Sequence, residues 1–173
     1  MSARHRGRFR TVTRGGCLLA AVLLAVAADT RAQNSSTVTA TFTIAAQTKL
    51  IFSATTLTFP DADPDTSPVA ATQNPITVTA GARFGAGQAV LTVVASDHLR
   101  SGMDTMPISA LKWTASGPGF VGGTMSMSLA AQTVATWNSS GRYIGSLTFT
   151  LDNSWNYAVG NYGTTLIYTL SVP

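Results

Sequence analysis

The stretch TVTATFTI, residues 37–44, alternates without a break: Val38, Ala40, Phe42 and Ile44 fall on one side, and Thr37, Thr39, Thr41 and Thr43 on the other. A side-chain repeat of two belongs to extended backbone, where successive side chains point to opposite faces; a helix would scatter both sets around its surface. A chain that carries this pattern repeatedly must fold as sheet with one wet face and one dry face. ITVTA (76–80) repeats the theme, and TMSMSLA (124–130) groups Met125, Met127 and Leu129. YIGSLTFTL (143–151) aligns Tyr143, Leu147, Phe149 and Leu151, with Gly145 in their row. QAVLTVVAS (88–96) is apolar on both sides, as a central strand is. The methionine pair reads as core filling, because a flexible thioether packs irregular gaps.

The polar member of each alternation is usually threonine, which is β-branched and suits a pleated surface better than a helix. Between the runs lie PDADPDTSP (60–68), GARFGAG (81–87), SGPGFVGG (116–123), NSSGR (138–142) and DNSWNYAVGNYG (152–163), rich in the Pro, Gly and Asn that turns require. Strands are expected near 37–46, 48–53, 55–59, 75–80, 88–96, 108–115, 124–130, 132–137, 143–151 and 164–172, with the short early ones partly continuous. Residues 97–111 have room for one helical turn, since Gly102 and Pro107 prevent more. The expected fold is all-β: a single antiparallel immunoglobulin-like β-sandwich of about eight or nine strands, with a small barrel as the alternative. The final run should turn Leu166, Tyr168 and Leu170 to the core and pair with 143–151, completing a sheet that Pro173 ends.

The front of the chain obeys different rules. Arg4, Arg6, Arg8, Arg10 and Arg14 precede the apolar run CLLAAVLLAVAA (17–28), which is followed by small residues. That run is shorter than the roughly 20 residues a membrane span needs, and the three parts together form a secretory signal peptide. Cleavage is expected after Ala28 or Ala32, with Ala32 preferred, giving a leader of residues 1–32 and one domain of residues 33–173. Cys17 precedes the apolar run, so it is not a lipid-attachment cysteine, and no paired arginines mark a twin-arginine leader. The expected location is outside the cytoplasm, secreted or at the cell surface, with the periplasm also open.

Removing the leader inverts the charge. The whole chain has a net charge of +4. After Ala32 the basic residues are Lys49, Arg83, Arg100, Lys112 and Arg142, against Asp61, Asp63, Asp65, Asp97, Asp104 and Asp152, one negative charge in excess. The basic balance is therefore a targeting signal, and no cationic cluster in the sequence answers a run of phosphates, so a nucleic-acid partner is not expected. The remaining chain has no cysteine and a single histidine, His98. Its stability must come from the core alone.

Few residues invite chemistry. Asp61-x-Asp63-x-Asp65 sets oxygen ligands at alternate positions, but Thr66 and Thr72 stand where a calcium loop needs glycine and a bidentate glutamate. It is a weak calcium candidate, and no other metal site and no cofactor are expected. Asp97-His98 lacks a displayed nucleophile such as Gly-x-Ser-x-Gly, so no catalytic residue is assigned and enzyme activity is not expected. Trp155, Tyr157 and Tyr162 crowd one connection with Asn153, Asn156 and Asn161; exposed, they would stack on sugar rings, and folded inward they would cap the sandwich. The alternating strand 36–44, following a free N-terminus, is expected first to pair within its own domain, and the alternative is insertion into a neighbour's sheet.

The C-terminal segment SLTFTLDNSWNYAVGNYGTTLIYTLSVP (146–173) resembles the last strands of small secreted bacterial surface proteins with pilin-like or WxL-like β-sandwich domains. The likeness rests on Gly160 and Tyr162, a short gap, and then Tyr168, Thr169 and Leu170. VVASDHLRSG followed by LKWTASG resembles the interior of such domains, extending the likeness over residues 88–173. The chain departs from the first group in lacking a disulfide and from the second in lacking Trp-x-Leu: Trp113, Trp137 and Trp155 are followed by Thr114-Ala115, Asn138-Ser139 and Asn156-Tyr157. Peptidoglycan binding is therefore not carried over. The resemblance implies an exported structural or adhesive sandwich, a surface or fimbria-like subunit that self-assembles or meets other surface proteins through strand edges. The alternative is a small module that binds polysaccharide through Trp155, Tyr157 and Tyr162.

Overall fold

A computed structural model describes residues 36–173. The expected leader, its two cleavage positions and Cys17 lie outside the described residues. Residues Phe42–Pro173 form one compact unit. Seven strands of six residues or more carry it: β1 (Gln47–Phe52), β3 (Ile76–Arg83), β4 (Ala89–Ala95), β7 (Leu111–Ser116), β9 (Gln132–Trp137), β10 (Gly141–Leu151) and β11 (Leu166–Ser171). Four shorter ones fill the chain order: β2 (Val69–Ala70), β5 (Leu99–Ser101), β6 (Asp104–Met106) and β8 (Gly123–Thr124). The only helical elements among the described residues are the single turns Pro64–Thr66 and Ile108–Ala110. The chain is all-β, and every pairing is antiparallel.

The strands form a large sheet in the order β1-β3-β10-β7-β8, with β2 added at the far end of β10, and a small sheet in the order β11-β4-β9. β5 and β6 make a separate hairpin. The core lies where the inward rows meet: Val78 and Ala80 of β3, Leu147 and Phe149 of β10, and Leu111 and Trp113 of β7 face Leu91 and Val93 of β4 and Val134 of β9, all buried. The strict burial alternation of β3 and β4 follows from the period-two pattern in their sequences. Truncating Leu147, which has no exposed surface, to alanine should cost about 2–5 kcal/mol.

Four expectations are corrected. The segment 37–46 is not a half-buried strand: it has no strand assignment, and its residues are exposed. The final strand turns Leu166, Tyr168 and Leu170 toward the core as expected, but it pairs with β4 and not with 143–151. The 152–165 connection crosses from the large sheet to the small one instead of closing a hairpin. TMSMSLA is not a strand beyond Thr124: Met125 is buried, Met127 is exposed, and Leu129 takes a left-handed φ of 56°, which no strand contains. Residues 55–59 form no strand. The one helical turn expected within 97–111 is present as Ile108–Ala110, directly after Pro107, and the β5–β6 hairpin precedes it, where Gly102, with φ of 60°, allows a tight turn.

One side of the sandwich is sealed by a loop. Residues 117–122 run alongside β9, with the Val121 N–H donating to the Val134 carbonyl at 2.8 Å and the Thr136 N–H to the Gly119 carbonyl at 2.9 Å. The Trp113 and Trp137 indoles donate to the carbonyls of Val121 and Pro118. Phe120 is thereby driven into the core, edge-on to Trp137 at 5.3 Å. Gly145 makes this possible: a Cβ there would sit 2.4 Å from the Phe120 ring. That explains a glycine in the apolar row of β10.

Candidate functional site

The opposite side has no such seal. β1 ends the large sheet and β11 ends the small sheet, each with one paired neighbour among the described residues. Between them lies a groove of about 630 Å³. Its walls are the inward rows of the two edge strands, Leu50 and Phe52 on β1 and Leu166 and Tyr168 on β11, continued by Leu57 and Phe59. All six are half-buried, packed on the core yet open outward. The Phe52 and Tyr168 rings meet across it at 4.6 Å. Burial against this apolar lining raises the Tyr168 phenol well above its ordinary pKa of 10.

Two kinds of unmet valence converge here. An edge strand directs alternate N–H and C=O groups away from its sheet, a template for another strand. The groove floor offers apolar surface to side chains on one face of such a strand. A segment that suits both must be extended and must carry an apolar residue at every second position.

Residues 36–46 carry that alternation. Val38 and Phe42 are 89% and 88% exposed, and Ile44 is 64% exposed. The segment leads into β1 at an end where the Arg83 guanidinium donates to the Ala45 carbonyl at 2.8 Å and approaches the Gln47 amide oxygen.

The aromatics singled out in the sequence do not form one row. Trp155 is 72% exposed, and its indole N–H donates to Asp65 at 2.9 Å. Tyr157 is half-buried. Tyr162 is also half-buried; it lines the groove, and its hydroxyl donates to the Ala158 carbonyl. The aspartate loop is organised locally. Asp63 caps the Pro64–Thr66 turn by accepting the Asp65 N–H at 3.0 Å, while Asp61 is exposed. No three acidic, histidine or cysteine side chains converge on a point that could hold a metal ion among the described residues.

Asp97 and His98 are tied into the turn after β4. Asp97 accepts the Arg100 Nε–H at 2.5 Å and the His98 N–H at 2.7 Å, and the arginine, followed by the backbone bond, holds its carboxyl below the usual aspartate range. His98 Nδ1 accepts the Ile108 N–H.

Sequence reasoning missed the groove because its walls come from residues 50–59 and 162–168, more than a hundred positions apart. The signal available was the apolar set Leu57 and Phe59 in a stretch too proline-bounded to pair as a strand. No family model matches the chain, and no curated protein is similar enough to match it.

Proposed function

We propose that the protein is an exported, non-enzymatic surface subunit of a fimbria-like kind, which assembles when residues 36–46 of one copy insert as a strand into the β1–β11 groove of another. The observation that carries this reading is that one chain holds both halves of the fit: an apolar groove between two bare strand edges, and an exposed segment with apolar residues at alternate positions. Eleven extended residues span roughly 36 Å, and the six residues of β1 span about 20 Å, so the segment is long enough to lie along the whole of that edge. Insertion into the chain's own groove would need a hairpin at Ala45-Ala46-Gln47, which contains none of the Gly, Asn or Asp residues that tight hairpins use. A neighbour's groove requires no turn.

The non-enzymatic part of the reading is supported by Asp97 and His98, the pair most suggestive of catalysis, being engaged in holding a turn. The export part rests on the basic leader and the cysteine-free domain. A second reading, polysaccharide binding, is favoured by one observation only, the exposed Trp155 beside Asn156.

The test is assembly of the mature protein. Electron microscopy and light scattering should show chains of subunits for the wild type and monomers for Phe42→Asp, with circular dichroism unchanged because Phe42 is exposed. Deleting residues 33–46 should likewise leave a folded monomer. Undiminished assembly by either variant sinks the proposal, as does an unfolded deletion. Binding of a polysaccharide that is lost in Trp155→Ala, with no assembly of the wild type, would favour the second reading.

A further inference from the structure

The topology sorts the charges of the described residues to opposite ends of the sandwich. Strands β1, β4 and β10 run from one end to the other, and β3 and β11 run back. At the end where β1 begins, Lys49 and Arg142 flank Gly81 in one row across the large sheet, since each is in register with that glycine. They are two strand spacings apart, roughly 10 Å. Arg83 lies two residues along β3 on the same face. All three are exposed and have no carboxylate partner among the described residues. The Pro173 ring lies beside Gly87 at this end.

The six aspartates of the described residues lie at the other end. Asp61, Asp63 and Asp65 occupy the loop between β1 and β2, which is held against the end of β10 by the Asn153 amide donating to the Ala62 carbonyl and by the Trp155–Asp65 bond. Asp97 follows β4, Asp104 lies in the hairpin that bridges to Gly163 through Arg100, and Asp152 follows β10. The two cations at this end are committed, Arg100 to Asp97 and Lys112 to Asp152. Asp61, Asp63, Asp65 and Asp104 are left exposed and uncompensated by cations.

We infer that these ends are complementary docking poles, the basic pole of one copy seating on the acidic pole of the next, so that copies associate head-to-tail under electrostatic guidance. The inference rests on the strand-insertion reading, and the chain's connectivity joins the two. Residues 36–46 enter β1 at the basic pole, and the groove lining reaches Phe59, Leu99 and Tyr162 at the acidic end. A strand that fills a neighbour's groove and leaves at that end carries its own basic pole onto the neighbour's aspartates. It then runs antiparallel to β11 and parallel to β1. Opposite charges on facing surfaces speed encounter and suppress the reversed orientation, and salt screens them over about 10 Å at 0.1 M.

Light scattering of the mature protein across a sodium chloride series tests this. The association rate should fall on the order of tenfold from low to high salt. Lys49→Glu/Arg142→Glu should lose both the fast association and its salt dependence, and so should Asp61→Lys/Asp104→Lys. Mixed together, the two variants should recover the fast rate, because one pole of each then matches the other. Wild-type assembly at a rate indifferent to salt and to these substitutions overturns the poles while leaving strand insertion standing. Failure of the wild type to assemble at any salt, with Phe42→Asp indistinguishable from it, overturns both.

Discussion

The two sides of the sandwich solve the same problem in different ways. Both must cover the gap between two sheets. On the β7–β9 side, a glycine-rich loop supplies the cover: Gly117 and Gly119, with φ of 108° and 81°, let the chain fold tightly enough to place Phe120 between the sheets. On the β1–β11 side, residues 53–59 supply Leu57 and Phe59 but no strand, and Phe52 and Tyr168 touch across an otherwise open groove. A gap can be filled from within when a nearby loop can bend sharply. Where no such loop exists, the apolar lining remains available to another chain.

The largest expected effect comes from breaking the sealed side. Gly145→Leu collides with Phe120 and pushes it out, which should cost about 3–5 kcal/mol, read as a lower urea midpoint for the monomer. Leu50→Ala on the open side should cost the monomer much less, because the side chain is already half exposed, yet slow assembly severalfold. Equal losses of monomer stability for the two variants would erase the distinction between the sides.

An alkaline titration sharpens the contrast next. The folded protein holds the Tyr168 proton more tightly than the unfolded chain does, so its contribution is fully present below pH about 10 and is lost as pH rises toward the folded value. Tyr168→Phe should flatten the fall in thermal midpoint above pH 10, and an unchanged fall would separate that slope from the groove. The smallest effect belongs to Asp97. Its carboxyl is held below the ordinary value, so its contribution is present above pH 4 and fades as pH falls. Asp97→Asn should remove a shallow acid-side slope in the thermal midpoint and leave neutral behaviour nearly untouched, as expected for an exposed ion pair.

Strand reading located β3, β4, β9, β10 and β11 within a few residues, most sharply β3, β4 and β10, where one apolar row is buried on one sheet face. It also predicted which face of the last strand turns inward. It did not reveal that strand's partner: alternation specifies a face, while pairing with β4 depends on a crossover that local pattern does not encode. The same limit applies to TVTATFTI, whose alternation matches that of the buried strands but whose apolar residues stand in solvent. In TMSMSLA the alternation is interrupted by the chain reversal at Leu129, which is not a turn residue by type. The groove and the poles depend entirely on topology, since Lys49, Arg83 and Arg142 are scattered along the sequence and meet only through their common register beside Gly81.

In the proposed assembly, the hold of Arg83 on the Ala45 carbonyl would set the angle at which the chain leaves its own sandwich for the next. A repeating unit joined to its successor at one constant angle, by an interface that is not its own mirror, winds rather than closing on itself, unless that angle happens to complete a circle. In such a filament the guanidinium would set a pitch, and replacing it would be read in the coarseness of the twist before it was felt in the strength of any single joint.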